Sequence, residues 1–533
     1  MSFHPLKIVR VLLALCIFIP LLLLFVDFAG VLPDSLHALA HIQLVPAILS
    51  GSVLILIVLG LLTLFFGRVY CSVICPLGIL QDIFSRFTGR GKKKNKKKRW
   101  YHYSKPYSIV RYTLLGICIV FLIFGITAPT LFLDPYSNFG RIAVNIFRPA
   151  VMEGNNVVNW IALKFDNYNF YQVTIYTVTV LSFTFSLAVL LLVGFLALLR
   201  GRLYCNTICP VGSLLGLASK FALFRIDLDK SKCTSCGLCE KACKSECIDS
   251  KNQKVDHSRC VSCFNCLNKC KKHQSISFRF ALKKRLNPLT PGIESELVDS
   301  NESPIKSMKA NSIDKSRRSF IVTTTAIAAT APIIPAFARK EVDVTKLTPI
   351  TPPGSISLKR FKDKCTGCHL CITHCPQQVL KPAGFEFGLN YTFKPHMVFY
   401  EKGFCNYECT ICTEICPNGA IQKLSTDEKK VTQVGIAKFI EELCIVISDG
   451  TSCGACSEHC PVQAVRMEPY RDGLTLPHVY EELCIGCGGC ESICPVRPIK
   501  AINILANEIH QKAELPVEEE EKPVNLDDLN WGF

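Results

Sequence analysis

The chain has 533 residues, 49% of them hydrophobic, with a formal net charge of +17 and 31 cysteines. That length allows several domains, and the hydrophobic fraction points to membrane segments. The positive charge does not make nucleic acid a partner: much of it sits in one run at 92–99, KKKNKKKR, beside apolar segments, where a topology signal explains it.

Four uncharged or nearly uncharged stretches precede residue 200, at about 11–29, 45–66, 109–128 and 173–199. A helix crosses the bilayer core with about 20 apolar residues, so each is read as a span. The loop at 30–44 has no Lys or Arg, and the loop at 67–106 has eleven. The positive-inside rule then puts the N-terminus in the cytoplasm and 30–44 outside. The loop at 129–172, with only Arg141, Arg148 and Lys164, is also expected outside. Asp27, His37, His41 and Asp134 stand at this outer face, as candidates for proton release or as ordinary interfacial residues.

An internal repeat closes each pair of stretches. Residues 67–80 read GRVYCSVICPLGIL and 201–214 read GRLYCNTICPVGSL. Cys71 and Cys75, like Cys205 and Cys209, are four apart and would share a face if the segment is helical. Thiols so placed form a redox pair, bind metal, or serve only as small buried hydrophobes.

The next cysteines are dense, and density alone fits a disulfide framework or a metal protein; spacing decides. Cys233, Cys236, Cys239 and Cys243 are followed by Cys260, Cys263, Cys266 and Cys270, each set spaced x2, x2, x3. This is the two-cluster ferredoxin pattern, in which three thiolates of a run hold one cubane and the fourth reaches to the other. Zinc sites do not need four close-set thiols in each run. Lys244 and Lys271 replace the usual Pro after each run, and Cys247 is a ninth thiol. Residues 286–315 read as a linker.

Residues 316–338, SRRSFIVTTTAIAATAPIIPAFA, have the form of a twin-arginine export signal in mid-chain. Beyond it come Cys365, Cys368, Cys371 and Cys375; Cys405, Cys409, Cys412 and Cys416; Cys444, Cys453, Cys456 and Cys460; and Cys484, Cys487, Cys490 and Cys494. Each group ends in Cys-Pro, as bacterial ferredoxin runs do. Stretched first spacings imply loops that bring Cys405 and Cys444 to their irons, and which groups pair is open from spacing. Cys365-Thr-Gly-Cys368-His369 matches a c-type haem pattern, but both cysteines are needed as cluster ligands. Thiols reaching an oxidising compartment empty would form disulfides, so clusters loaded before export explain the signal.

The expected fold is an α-helical membrane domain, four transmembrane helices plus one internal signal-anchor helix, with small α+β ferredoxin-like [4Fe–4S] modules on both sides. Its expected parts are a membrane domain at 1–220, a cytoplasmic two-cluster module at 221–285, the linker, the signal or anchor at 316–338, a periplasmic four-cluster domain at 339–515 and an acidic tail at 516–533. About six [4Fe–4S] clusters follow, two cytoplasmic and four periplasmic, with the 24 run cysteines as iron ligands.

Residues 1–285 resemble the membrane ferredoxin subunit of the NapH type, through four apolar stretches, two Cys-x3-Cys-Pro repeats and a two-cluster module. Residues 313–505 resemble the periplasmic polyferredoxin of the NapG type, with four cluster motifs ending in CPVRPIKAI. The chain looks like the two fused. The resemblance implies a bacterial inner-membrane protein that oxidises quinol from the quinone pool and delivers electrons to a periplasmic reductase, often nitrate reductase, or to a cytochrome acceptor. The missing Pro residues and Cys247 depart from the pattern. A related class of membrane ferredoxin reduces metal or maintains a reductase, and there the four repeat cysteines would be the working chemistry. No Gly-rich nucleotide loop or flavin motif is present, so a substrate-reducing site is expected on another protein.

Overall fold

A computed structural model of the chain describes residues 4–87, 101–174, 179–270, 275–280, 348–399 and 403–515. The basic run, the linker, the segment at 316–338 and the acidic tail fall outside the described residues. So does Lys271.

Among the described residues two helices are long and apolar enough to cross a membrane, Pro5–Val26 with 22 residues and Val180–Arg200 with 21. The other two expected spans are shorter. Residues 45–66 divide into Leu44–Ser50 and Val53–Phe66 because Gly51 takes a left-handed φ of 78° and caps the first piece. Helix Ser108–Ile123 has 16 residues and stops before Gly125, at φ 73°. At 1.5 Å per residue, Val53–Phe66 reaches only about 21 Å, short of a hydrocarbon core of about 30 Å. The outward faces are nonetheless apolar: Leu54 is 76% exposed, Ile109 82% and Leu191 63%. Bare surface of this kind suits lipid.

The expected outer loop at 129–172 is instead largely helical. Asp134 accepts from the Ser137 N–H at 2.8 Å and caps helix Pro135–Ile142, with Pro135 at its first position. A π-helical turn at Ala143–Phe147 leads into helix Arg148–Leu163. The positive-inside count placed this segment but carried no information on its structure.

The repeats also depart from expectation. Each copy is a short helix, a break and a new helix: Tyr70–Val73 then Pro76–Phe87, and Leu203–Thr207 then Pro210–Ser219. Pro76 and Pro210 lack the N–H needed to continue a helix and start the next one instead. Cys75 and Cys209 therefore sit at the break, not one turn along a common helix from Cys71 and Cys205.

The first cysteine module is closed by strands Phe224–Leu228 and Ile276–Phe280, antiparallel from Phe224↔Phe280 to Leu228↔Ile276. The second is closed by Thr432–Phe439 against Ile502–Lys512, in register from Ile502↔Phe439 to Ala506↔Gly435 before a shift. Small antiparallel pairs, Leu380–Pro382 with Pro395–Met397 and Val465–Pro469 with Thr475–Val479, frame its cysteine loops.

The N-terminal helix touches both modules. The His4 N–H donates to Asn268 Oδ1 at 2.6 Å, and Thr373 Oγ1 donates to the Phe25 carbonyl at 3.4 Å. Twenty-two residues make about 33 Å of helix. The two modules thus lie at opposite ends of one helical body.

Candidate metal centres

Six groups of four thiols come together, and the fourth cysteine of each run always crosses to its neighbour. In the first module Cys239 lies within electrostatic reach of Cys233, Cys236 and Cys270, and Cys266 of Cys263, Cys260 and Cys243. In the second, Cys371 meets Cys365, Cys368 and Cys416, while Cys412 meets Cys405, Cys409 and Cys375. Cys444, Cys453, Cys456 and Cys494 line one apolar pocket. Cys490 meets Cys484, Cys487 and Cys460. Neighbouring runs therefore pair, first with second and third with fourth. The spacing left this open because nested pairing needs the same cysteines.

The surroundings fit iron–sulfur clusters. Cys375, Cys405, Cys409 and Cys412 line a second pocket, with almost no polar wall. Burial pushes the Cys365 and Cys456 thiols up to about 12, so the pockets disfavour bare thiolates and favour metal-bound ones. Backbone N–H groups of Ala464, Ala437 and Ile421 donate to the sulfurs of Cys460, Cys484 and Cys416 at 3.2, 3.4 and 3.5 Å. Such donors set cluster potential. Among the described residues no three His, Cys, Asp or Glu side chains converge on a point that one ion could occupy. A cubane offers each thiolate its own iron, so its ligands stand apart as these do.

His369 is no haem ligand here: it is 1% exposed, its Nε2 is 2.9 Å from the Phe393 carbonyl, and burial lowers its pKa to about 3. Cys247, 1% exposed, lies 3.5 Å from the sulfur of Cys243.

Each module is fastened to the helical body by chemistry of its own. Asp82, on helix Pro76–Phe87, pairs with Arg10, with Arg202 at 2.9 Å and with Lys244 at 3.5 Å. Burial alone would push this carboxyl up; Arg202, Lys244 and Arg10 outweigh it and hold it well below the usual carboxylate range. Lys244, which stands where ferredoxin runs carry Pro, is thus a docking residue, and its carbonyl accepts from the Arg202 N–H at 3.0 Å. Arg68 and Arg111 donate to the Ser258 carbonyl at 3.1 and 2.9 Å.

The second module docks on the segment at 127–148. Ser137 Oγ donates to Thr366 Oγ1 at 2.8 Å, Lys394 Nζ to Thr127 Oγ1 at 2.9 Å, and Arg148 Nη2 to the Thr373 carbonyl at 3.1 Å. The Arg141 guanidinium lies over the Phe185 and Phe393 rings, at 5.1 and 5.2 Å. None of these contacts has a sequence signature, except that Arg68 and Arg202 recur in both repeat copies.

Two of the four proton candidates, Asp27 and Asp134, have structural tasks. Asp27 gathers four backbone N–H groups from Ala29 to Leu32, and Asp134 is the helix cap described above. His37 lies edge-on to His374 at 5.3 Å. His41 is half-buried. Cys71, Cys75, Cys205 and Cys209 are each 3–4% exposed and draw together between the two repeat copies.

Family models agree with this reading for the second module and add matches on the repeat segments. A 4Fe-4S binding domain matches residues 48–96 and 181–230, and 4Fe-4S dicluster domains match 364–421 and 449–497. The methylamine utilization ferredoxin-type protein MauM of Methylobacillus flagellatus is 27% identical over 144 residues, 26% of this chain and 61% of that protein. The ferredoxin-type protein NapG of Escherichia coli is 29% identical over 145 residues, 26% of this chain and 62% of its own. The putative electron transport protein YccM of Escherichia coli is 24% identical over 206 residues, 38% of this chain and 48% of that protein. The chain thus spans about half to three-fifths of the length of these relatives. No solved structure matches. Paired ferredoxin runs, apolar thiol-lined cavities and these relatives together make the chain an iron–sulfur electron-transfer protein.

Proposed function

We propose that the chain is a membrane-bound electron conduit, a fusion of NapH-type and NapG-type parts, that takes electrons from the quinol pool and passes them to a periplasmic reductase or cytochrome. The observation that carries it is the docking of two cysteine modules at opposite ends of one helical body through named contacts. The 24 run cysteines would hold six [4Fe–4S] clusters in the six groups above, two in the first module and four in the second. Residues 221–285 would face the cytoplasm and 339–515 the periplasm, with the inner membrane between and the segment at 316–338 as export signal or anchor. In the bound state the clusters supply one-electron redox chemistry. The protein's own residues hold the thiolates, exclude water, and donate backbone N–H groups to the sulfurs.

The test is reduction of the full protein in liposomes by a quinol analogue, followed by EPR. Signals of the second module's clusters are expected. Their absence, with the clusters present and reducible by dithionite, would overturn the quinol assignment. Arg317→Lys with Arg318→Lys should strand the second module in the cytoplasm, clusters intact; normal export of that variant would remove the signal assignment.

A further inference from the structure

Residues 48–96 and 181–230 each match a 4Fe-4S binding model, yet each holds only two cysteines. Neither segment alone can ligate a cubane, which takes four thiolates. The structure brings the two together. Arg68 of the first copy donates from Nη2 to the Cys205 carbonyl of the second at 3.1 Å, and Arg202 of the second donates from Nη1 to the Cys71 carbonyl of the first at 2.7 Å. The same guanidinium groups stand 3.8 Å from Cys71 Sγ and 4.0 Å from Cys205 Sγ. This reciprocal exchange relates the copies as the halves of a two-fold pair. Glycine permits it: a Cβ on Gly78 would meet the Cys71 carbonyl oxygen at 2.4 Å, and one on Gly212 the Cys205 carbonyl oxygen at 2.2 Å.

The site is prepared for an anion. Cys209 sits at the start of helix Pro210–Ser219 and its sulfur accepts from the Gly212 N–H at 3.3 Å. Cys75 has the matching bond from Gly78 at the start of helix Pro76–Phe87. Helix N-termini and buried cations favour thiolates. Arg202 is neutralised by Asp82, but Arg68 is 0% exposed, none of its hydrogen bonds goes to a carboxylate, and its Nε has no partner. A buried guanidinium without a counter-charge is costly, so it points to negative charge at the thiols beside it. Both segments match a 4Fe-4S binding model, which favours a cubane over a mononuclear thiolate site.

We propose that Cys71, Cys75, Cys205 and Cys209 hold one further [4Fe–4S] cluster, shared by the two repeat copies inside the helical body. It deepens the conduit reading and rests on it for its role. One buried side-chain cluster contains Cys71, Cys75 and Cys209 together with Cys263 of the first module and Cys368 of the second. The shared centre thus stands between the modules. An electron leaving a reduced centre in one module, which is thereby oxidised, reduces the shared centre and then a centre in the other; no bond forms or breaks and no proton moves.

Iron and acid-labile sulfide, with EPR, are measured on the full protein and three variants: Cys71→Ser with Cys75→Ser, Cys205→Ser with Cys209→Ser, and all four together. The wild type should carry about 28 irons instead of the 24 of six clusters. Each double variant should lose the same four irons, and the quadruple variant no more, with the EPR signals of both modules kept as the control for folding. Unchanged iron in the variants, or losses that add from one pair to the other, would overturn the shared cluster. Should the variants fail to fold, the wild-type total decides between 28 and 24. A total far below 24 with a four-iron difference retained would strike the six-cluster reading and leave this one standing.

Discussion

The two modules carry the same paired-run chemistry but are held to the helical body in opposite ways. The first is fastened by buried charge: Lys244 of the module reaches Asp82, a carboxylate that Arg10 and Arg202 of the body also hold. The second rests on hydrogen bonds, one of them from the Lys394 ammonium, and on a cation between aromatic rings; none of these contacts is an ion pair. A buried ion network tolerates little adjustment, because removing one partner leaves unpaired charge in a low dielectric. Separate hydrogen bonds fail singly, at about 1–3 kcal/mol each. The first dock is therefore the brittle one and the second the graded one.

Asp82→Asn should break this contrast most severely. It leaves Arg10, Arg202 and Lys244 without their carboxylate, at about 3–5 kcal/mol for a broken buried pair. Limited proteolysis should show the first module released and the second still protected. Release of both would erase the distinction.

Acidification should act the other way round. Burial lowers the pKa of His510 to about 4, and its Nε2 lies 2.8 Å from Thr351 Oγ1 within the second module. A histidine kept neutral in the fold contributes stability above its unfolded pKa of about 6.5, lost as pH falls toward 4 and worth up to roughly 3 kcal/mol. Asp82, held below the carboxylate range, keeps its charge over that window. Thermal melts between pH 7 and pH 4 should thus destabilise the second module first, and His510→Gln should reduce the dependence without abolishing it, because His369 is also held neutral by burial.

Smaller effects are expected at the second dock. Lys394→Met removes the bond to Thr127 and that to the Lys362 carbonyl, about 1–3 kcal/mol, without detaching the module. Ser137→Ala should cost about 1–3 kcal/mol, through the lost contacts to Thr366 and to the buried Asp134 carboxylate. Hydrogen exchange at 362–374 would register both. A cost as large as that of Asp82→Asn would contradict the graded character of this dock.

Much of the chemistry was legible in the sequence, because ligand spacing is local. The runs from Cys233 to Cys270 and from Cys365 to Cys494 assemble into groups of four thiols as the spacing allows, and the repeats at 67–80 and 201–214 come together. What the sequence withheld is long-range. Pairing of neighbouring runs depends on which loops share a core. The role of Lys244 depends on Asp82, which is 162 positions earlier. The helix break at Cys75 and Cys209 was written in Pro76 and Pro210, but the four-residue spacing invited a single helix. Gly51 and Gly125 likewise shorten two of the four expected spans.

The central claim is that the two modules are electrically joined through the helical body. Full-length protein is oriented in sealed liposomes, a membrane-impermeant one-electron reductant is added on the side of residues 221–280, and the clusters of 348–515 are followed by rapid-freeze EPR. The account predicts that the second module's clusters become reduced while the lumen stays free of reductant. Reduction confined to the first module's two clusters would contradict it.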